Sequence, residues 1–435
     1  MSAALKEHPQ ARNTMKARTC FYIAFRYLLG RAHEGGRYLR GAAAGIAVSL
    51  IPIIVTLIVA DGMIRGIIDR YLELGTGHLQ VFSFIDSDDL ERNADRVREI
   101  EGVTGVWLEQ RGMGVLVGKT GKTGASIRSI DPGFWEDLGS REYLELITGT
   151  ARMETDREML LGESLAASIG VEPGDTVRLM SLGAGSDGRS RPRLTPFTVS
   201  GIVSSGYHEL DALWCIITHE GGQRIFTSES VSSSLIVKIN NPYTNADSTM
   251  WELYSVLGSG FSVYTWKDLL RSQYSSYEST RQLLLFIMAL VVIVAAVNVS
   301  SATSMLALER QRDIAVLKVT GAGAKGISGV FLWGGFLTGI FGAIIGIILG
   351  LLLGNFINPL IRALETVLSL FSAIAGGGEV KILDPGFYLA AIPIVIDWFA
   401  VFLIGCFTVL CSVIASWFPA HRAGKLKPMD LLRKY

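Results

Sequence analysis

The stretch Gly118-Lys119-Thr120-Gly121-Lys122-Thr123-Gly124 carries the residue types of a phosphate-binding loop. Its glycines would free backbone N–H groups, a lysine would reach the phosphates and a threonine would serve a magnesium ion. The spacing fails, because the required first glycine would fall at Met113 or Leu116. A glycine-rich turn between two strands accounts for the segment instead. Gly321-Ala322-Gly323-Ala324-Lys325-Gly326 matches the dinucleotide fingerprint letter for letter, yet no strand precedes it and no βαβ unit surrounds it. HExxH, CxxC and GxSxG are all absent and the six histidines are scattered, so neither a metal centre nor a nucleophile triad assembles. Basic residues do not interleave with aromatics as a nucleic-acid surface would require. The expectation is a non-catalytic chain with no metal, no cofactor of its own and no nucleic-acid partner.

The more informative constellation is Leu308–Ala322, which reads as a short amphipathic helix capped by Gly321. Ile314 and Leu317, with Val316, are suited to a membrane or a partner. Glu309, Arg310, Arg312 and Asp313 offer charged contacts at helical spacing. Such a helix between two spans can convert a push from a cytoplasmic protein into helix movement. A second polar cluster, Arg189, Arg191 and Arg193, lies in Leu182–Leu194, thirteen residues poor in core formers. It is expected to interrupt two strands as a projecting basic loop or hairpin tip, solvated or docking a partner. Gly342, Gly346, Gly350 and Gly354 recur every four residues after Gly335 and Gly339, a small-residue edge for close helix packing within this chain or on a partner subunit. Asp397, beside Trp398, reads as an acid at a membrane boundary rather than a proton relay.

The elements that hold these residues follow from composition. The 435 residues are 49% hydrophobic and 18% charged, too apolar for an ordinary soluble protein. No Asp, Glu, Lys, Arg or His falls between Arg40 and Asp61, Arg281 and Glu309, Lys325 and Arg362, or Asp397 and His421. Each gap can cross a bilayer core, which takes roughly 20 residues. The first 40 residues hold eight Lys or Arg against two acids, and the tail after Trp417 holds five against one, so both termini are expected in the cytoplasm. Before the first span, Phe21, Phe25, Leu28 and Leu29 share a helical face among arginines, which predicts an amphipathic helix on the inner leaflet. No cleavage pattern follows the first span, which reads as a permanent anchor.

The expected fold is therefore an α-helical membrane protein with four transmembrane helices and a large mixed α+β extracytoplasmic, periplasmic domain between helices 1 and 2. The expected division is a cytoplasmic segment 1–41, span 42–64, domain 65–282, span 283–308, cytoplasmic loop 309–326, span 327–354, outer loop 355–397, span 398–418 and cytoplasmic tail 419–435. Helical continuation beyond the first span, through about Leu72, would form a stalk. Within the domain, strands are expected around Val115–Val117, Thr176–Leu179, Phe197–Val203 and Ser234–Val237, with helices at Asp88–Glu101 and Gly162–Ile169. Cys215 is the only exported cysteine, which leaves the domain without an internal disulfide.

The stretch Glu309-Arg310-x-x-Asp313-Ile314-Ala315-x-Leu317-Lys318-x-x-Gly321-Ala322 resembles the coupling helix of type VII ABC-transporter permeases, the superfamily of MacB-like and FtsX-like proteins. The resemblance sharpens toward the lipoprotein-releasing (Lol) permeases in Ile23–Leu28, Leu161–Ala166, Ile169–Asp175, Val199–Val203, Val294–Asn298 and Ser416–Ala423. It implies a permease subunit that extracts lipoproteins from the bacterial inner membrane for a periplasmic carrier and the outer membrane. ATP and Mg would be bound by a cytoplasmic ABC ATPase dimer, and a second permease subunit, the same chain or a sister, would complete the transporter. The arginine-rich loop takes the place of the family's carrier-grasping hook, with a less apolar character. The rival readings are a mechanotransmission permease of a MacB-like efflux or secretion complex and an FtsX-like regulator of cell-wall hydrolases.

Overall fold

A computed structural model describes residues 16–29, 35–84, 87–184, 190–226, 231–374, 389 and 392–426. They divide into two compact units, split at Gly62/Met63, Glu278/Ser279, Leu360/Ile361 and Pro393/Ile394.

In chain order the helices are α1 (Ala17–Leu29), α2 (Gly35–Arg70), α3 (Ser87–Arg98), α4 (Gly133–Glu136), α5 (Leu138–Tyr143), α6 (Glu163–Ile169), α7 (His208–Asp211) and α8 (His219–Ile225). They continue as α9 (Pro242–Leu257), α10 (Trp266–Leu269), α11 (Arg271–Glu309), α12 (Gln311–Val319), α13 (Ala324–Asn355), α14 (Ile357–Ile374) and α15 (Trp398–Lys425). Helix α2, its π-turn Tyr71–Gly75, and helices α11, α13 and α15 make four segments long and apolar enough to cross a membrane. Each covers all or most of one charge-free gap of the sequence, as a helix must to satisfy its backbone polar groups internally where water is absent.

The helical unit is held by small residues. A Cβ added at Gly342 would stand 2.8 Å from the Ile46 Cβ, one at Gly346 2.8 Å from that of Leu50, and one at Gly350 2.7 Å from that of Ile54. The glycine edge of α13 thus packs on α2 of the same chain. On another face, Gly335 and Gly339 admit Ser416 and Ser412 of α15, and the Ser412 hydroxyl donates to the Gly335 carbonyl at 2.7 Å. Hydroxyl bonds of this kind join helices where burial against lipid supplies little driving force.

The other unit is a ten-stranded mixed sheet of β1 (Leu79–Ser83), β2 (Val103–Val117), β3 (Lys122–Ile130), β4 (Glu145–Gly149), β5 (Glu158–Gly162), β6 (Thr176–Ala184), β7 (Ser190–Ser204), β8 (Trp214–Ile217), β9 (Val231–Ile239) and β10 (Phe261–Thr265). The order is β10-β1-β9-β2-β3-β8-β5-β7-β4, with β6 against β2 and β7. Among the described residues, only the pairs β3/β8 and β5/β7 are parallel. One core gathers Val81, Leu90, Val97, Val237, Leu253 and Trp266 under α3 and α9. A second gathers Ile127, Leu161, Leu165, Val177, Phe197 and Cys215 under α6. The predicted strands all fall inside β2, β6, β7 and β9. Gly170 ends α6 at φ 65°, a left-handed conformation that favours glycine.

The structure adds detail to three expectations. Helix α1 buries Cys20, Ala24 and Leu28 within the helical unit, while Phe21 and Phe25 remain 39% and 38% exposed. The small residues allow close approach to α13, whose Gly326 carbonyl accepts from the Cys20 Sγ at 3.5 Å. The strands extend into both sides of the basic segment, β6 and β7 pairing through Leu182↔Pro192, Gly183↔Arg191 and Ala184↔Ser190. The segment 355–397, expected as a loop, contains the 18-residue helix α14.

Candidate functional site

Helix α12 is set off from α11 at Arg310, whose φ −91° and ψ 21° leave the helical region. Its inner face is apolar: Ile314 and Ala315 are 2% and 1% exposed, and Ile314 joins the core with Leu28, Leu306 and Ile327. Ile314 is therefore unavailable to a partner, and Leu317 is half-buried. Glu309 and Arg312 are exposed, as are the apolar residues Val316 and Val319. Arg310 is bound inward, its Nη1 3.2 Å from the Asp313 Oδ2 and its guanidinium over the Tyr27 ring at 5.3 Å. Lys318 donates to the Gly424 carbonyl at 2.8 Å and to that of Leu426, which ties α12 to the end of α15. The result is a charged, partly apolar surface fastened to α1, α13 and α15.

Elsewhere in the helical unit, α2, α11 and the start of α15 meet in a charged cluster that spacing in the sequence does not reveal. The Arg281 Nε of α11 is 2.8 Å from the Asp61 Oδ1 of α2, and its Nη2 is 2.6 Å from the Asp397 Oδ2. The Asp397 carboxylate also accepts from the backbone N–H groups of Phe399 and Ala400 at 3.0 and 3.1 Å, capping α15. The signal was present in the sequence: all three residues are edges of charge-free gaps. Their meeting brings one edge of three charge-free runs together, with Asp397 as a structural acid.

A second unrecognised cluster lies in the sheet unit around the C-terminus of α2. Arg128, fully buried on β3, pairs with the Glu109 carboxylate of β2 and donates to the carbonyls of Leu74 and Gly75. Arg111 reaches the Gly75 carbonyl at 2.8 Å and the Glu109 Oε2 at 2.8 Å. Lys238 of β9, 2% exposed, stands 2.9 Å from the Glu73 Oε2 and 2.7 Å from the Asp137 Oδ2. The rings of Phe134, Trp135 and Trp214 surround the Arg128 guanidinium at 5.8, 5.5 and 5.2 Å. A helix end leaves its last carbonyls unpaired, and this socket supplies cationic donors for them. Burial alone would raise the Glu109 carboxyl, but Arg128 and Arg111 outweigh it and hold the group below the ordinary range. Burial pushes Arg128 down to about 10, which still leaves it charged at neutral pH. Ile68 and Leu72 enter the sheet core beside the socket, so the last turns of α2 are part of that core.

Of the arginines proposed for docking, Arg193 is exposed and reaches the Arg224 carbonyl at 3.5 Å. Arg189 and the side chain of Arg191 lie outside the described residues. Gly118 and Gly121 close the β2–β3 hairpin, the Gly118 N–H donating to the Gly121 carbonyl at 2.9 Å. Cys215 is free and buried, its thiol pushed up to about 12 by desolvation. Among the described residues, no three His, Cys, Asp or Glu are grouped to hold a metal ion.

Comparison with known proteins places these features in two successive family domains. The MacB-like periplasmic core domain matches residues 41–249, and the FtsX-like permease C-terminal domain matches residues 285–428. The chain belongs to the MacB/FtsX-like permease family. In family terms, the socket lies in the MacB-like core, whereas α12 and the α13 glycine edge lie in the FtsX-like region. The Neisseria meningitidis protein described as the lipoprotein-releasing system transmembrane protein LolC is 25% identical over 424 residues, 95% of this chain and 98% of that protein. Its Haemophilus influenzae counterpart described as LolE is 23% identical over 435 residues, 96% of this chain and all of that protein. The periplasmic region of MacB from Actinobacillus actinomycetemcomitans is similar at 19% identity and a TM-score of 0.31, covering 47% of this chain and 95% of that one.

Proposed function

We propose that this chain is the permease subunit of an ABC transporter that extracts lipoproteins from the bacterial inner membrane and passes them to a periplasmic carrier for the outer membrane. The observation that carries the reading is the near end-to-end match to proteins named for lipoprotein release, from 95% and 96% of this chain to 98% and 100% of theirs. In this reading α2, α11, α13 and α15 are the four spans, the sheet unit stands in the periplasm between the first two, and both termini are cytoplasmic. The basic residues at the two ends support that orientation.

Each structural part then has a role. A separate ATPase dimer binds ATP and Mg and pushes on Glu309, Arg312 and the exposed apolar residues of α12. The buried side of α12 passes the movement to the spans, and a second permease subunit completes the cavity. Helix α2 runs from Gly35 to Arg70, and the turn that ends it is held in the sheet unit by Arg128, Arg111 and Lys238. Moving an acyl chain from lipid into water costs about 0.8 kcal/mol per CH₂, which explains the need for ATP. Arg193 and its neighbours are candidates for carrier contact.

The test is depletion of this chain in its host, followed by fractionation of a labelled outer-membrane lipoprotein with purified carrier added to spheroplasts. Retention in the inner membrane, relieved when the chain is restored, is the expected result. Normal release would remove lipoprotein transport and favour the efflux or cell-wall rivals.

A further inference from the structure

Helix α14 has its polarity turned inside out. Leu360, Leu364, Val367, Leu370 and Phe371 share one side of the helix and are 51%, 50%, 49%, 64% and 67% exposed. Asn358, Glu365, Ser369 and Ser372 lie on the other side and are half-buried. A helix on a water-soluble surface does the reverse, placing its apolar stripe inward and its polar residues in solvent. Arg362 and Glu365 are its only charged residues, so no charged stripe marks a site for an ionic partner.

The surroundings along the chain identify the missing solvent. Helix α14 starts two residues after α13, one of the four membrane-length helices, and Phe356 between them is 55% exposed. Leu349, Leu352 and Leu353 at the end of α13 are exposed, and Leu360 and Leu364, which follow them in the chain, are exposed as well. A helix with apolar residues on one side and few charges, joined directly to a spanning helix, meets its lowest-energy environment at the boundary of headgroups and acyl chains.

We propose that α14 is an interfacial membrane helix whose Leu364 and Phe371 face enters the outer leaflet of the bilayer. This rests on the four-span reading above, so the test carries a position that checks that reading separately. The full chain, with Cys406→Ala and Cys411→Ala, is reconstituted with its co-purifying subunits in phosphatidylethanolamine–phosphatidylglycerol vesicles. An environment-sensitive fluorophore is attached in turn at Leu364→Cys, Phe371→Cys, Thr366→Cys and, within α13, Ile348→Cys. Quenching is read with nitroxide-bearing lipids and with aqueous iodide.

The expected result is loss of most emission to nitroxide lipids at Ile348, Leu364 and Phe371, and loss to iodide at Thr366. Lipid quenching at Ile348 with iodide quenching at Leu364 and Phe371 would overturn the interfacial assignment and leave the spans standing. Shielding of Leu364 and Phe371 from both quenchers would overturn it as well, because a protein partner would then cover the face. Equal lipid quenching at Thr366 and Phe371 would refute the one-sided orientation. An Ile348 label untouched by nitroxide lipids would sink the span reading and this proposal together.

Discussion

Replacing Arg128 by Met removes a fully buried cation and leaves Glu109, itself 1% exposed, with Arg111 as its remaining partner. The Leu74 carbonyl at the end of α2 also loses its Arg128 donor, whereas that of Gly75 keeps Arg111. Breaking one side of a buried pair costs about 3–5 kcal/mol because the other charge stays desolvated. For a domain of this size each kcal/mol moves Tm by roughly 2–4 °C, so Arg128→Met should lower the melting temperature by about 6–20 °C. The measurement is thermal unfolding of the full chain in detergent, followed by tryptophan emission, since Trp135 and Trp214 flank the guanidinium. Adding Glu109→Gln removes the stranded charge and should restore part of the loss, with Leu74 still unpaired. A shift under about 2 °C for Arg128→Met, or strict additivity of the two substitutions, would refute the socket energetics.

The remaining predictions concern the spans, pH and the triad. Gly346→Leu should lower stability by about 1–3 kcal/mol or prevent assembly, since even its Cβ meets Leu50 and the Ala47 backbone below 3.1 Å. Ile345→Ala, on an exposed position, should change melting in detergent little by comparison. Glu109 is held below the ordinary carboxylate value of about 4.3. Its contribution is therefore fully present above that value and lost as the pH falls through the lower folded-state value, so the Tm gap between the parent chain and Glu109→Gln should narrow only below about pH 4. Arg281→Ala should lower Tm more than Arg281→Lys, because Lys retains a cation between Asp61 and Asp397; equal losses would contradict the ion-pair role.

The long apolar helices were legible because a charge-free run of bilayer length has few alternative environments, and α11, α13 and α15 each contain one such run. The strands were legible from β-branched runs, and Gly170 marked the end of α6 for a stereochemical reason. The socket was not legible: Glu73, Glu109, Arg128 and Lys238 lie on separate elements, and only sheet pairing brings them together. In the sequence they look like ordinary surface charges. The protein-facing side of α1 was not legible, because close helix approach selected Cys20 and Ala24, whose small size does not single them out, while Phe21 and Phe25 stay exposed. Ile314 was legible as apolar, but not as directed into its own chain, since periodicity identifies a face and not its occupant. Helix α14 escaped notice because attention went to the scarcity of charge in 355–397 rather than to its helical period.

ATP-dependent release from a reconstituted transporter tests the central claim most directly. Vesicles containing this chain, its partner ATPase and a labelled lipoprotein receive ATP and purified carrier, and carrier-bound lipoprotein is counted for the parent chain and for Arg312→Glu. The account predicts ATP-dependent transfer by the parent and its loss in the variant, with the variant's spans and sheet unit still folded by tryptophan emission. Transfer that needs neither ATP nor this chain would contradict the assignment as a lipoprotein permease, and full transfer by Arg312→Glu would contradict the role of α12.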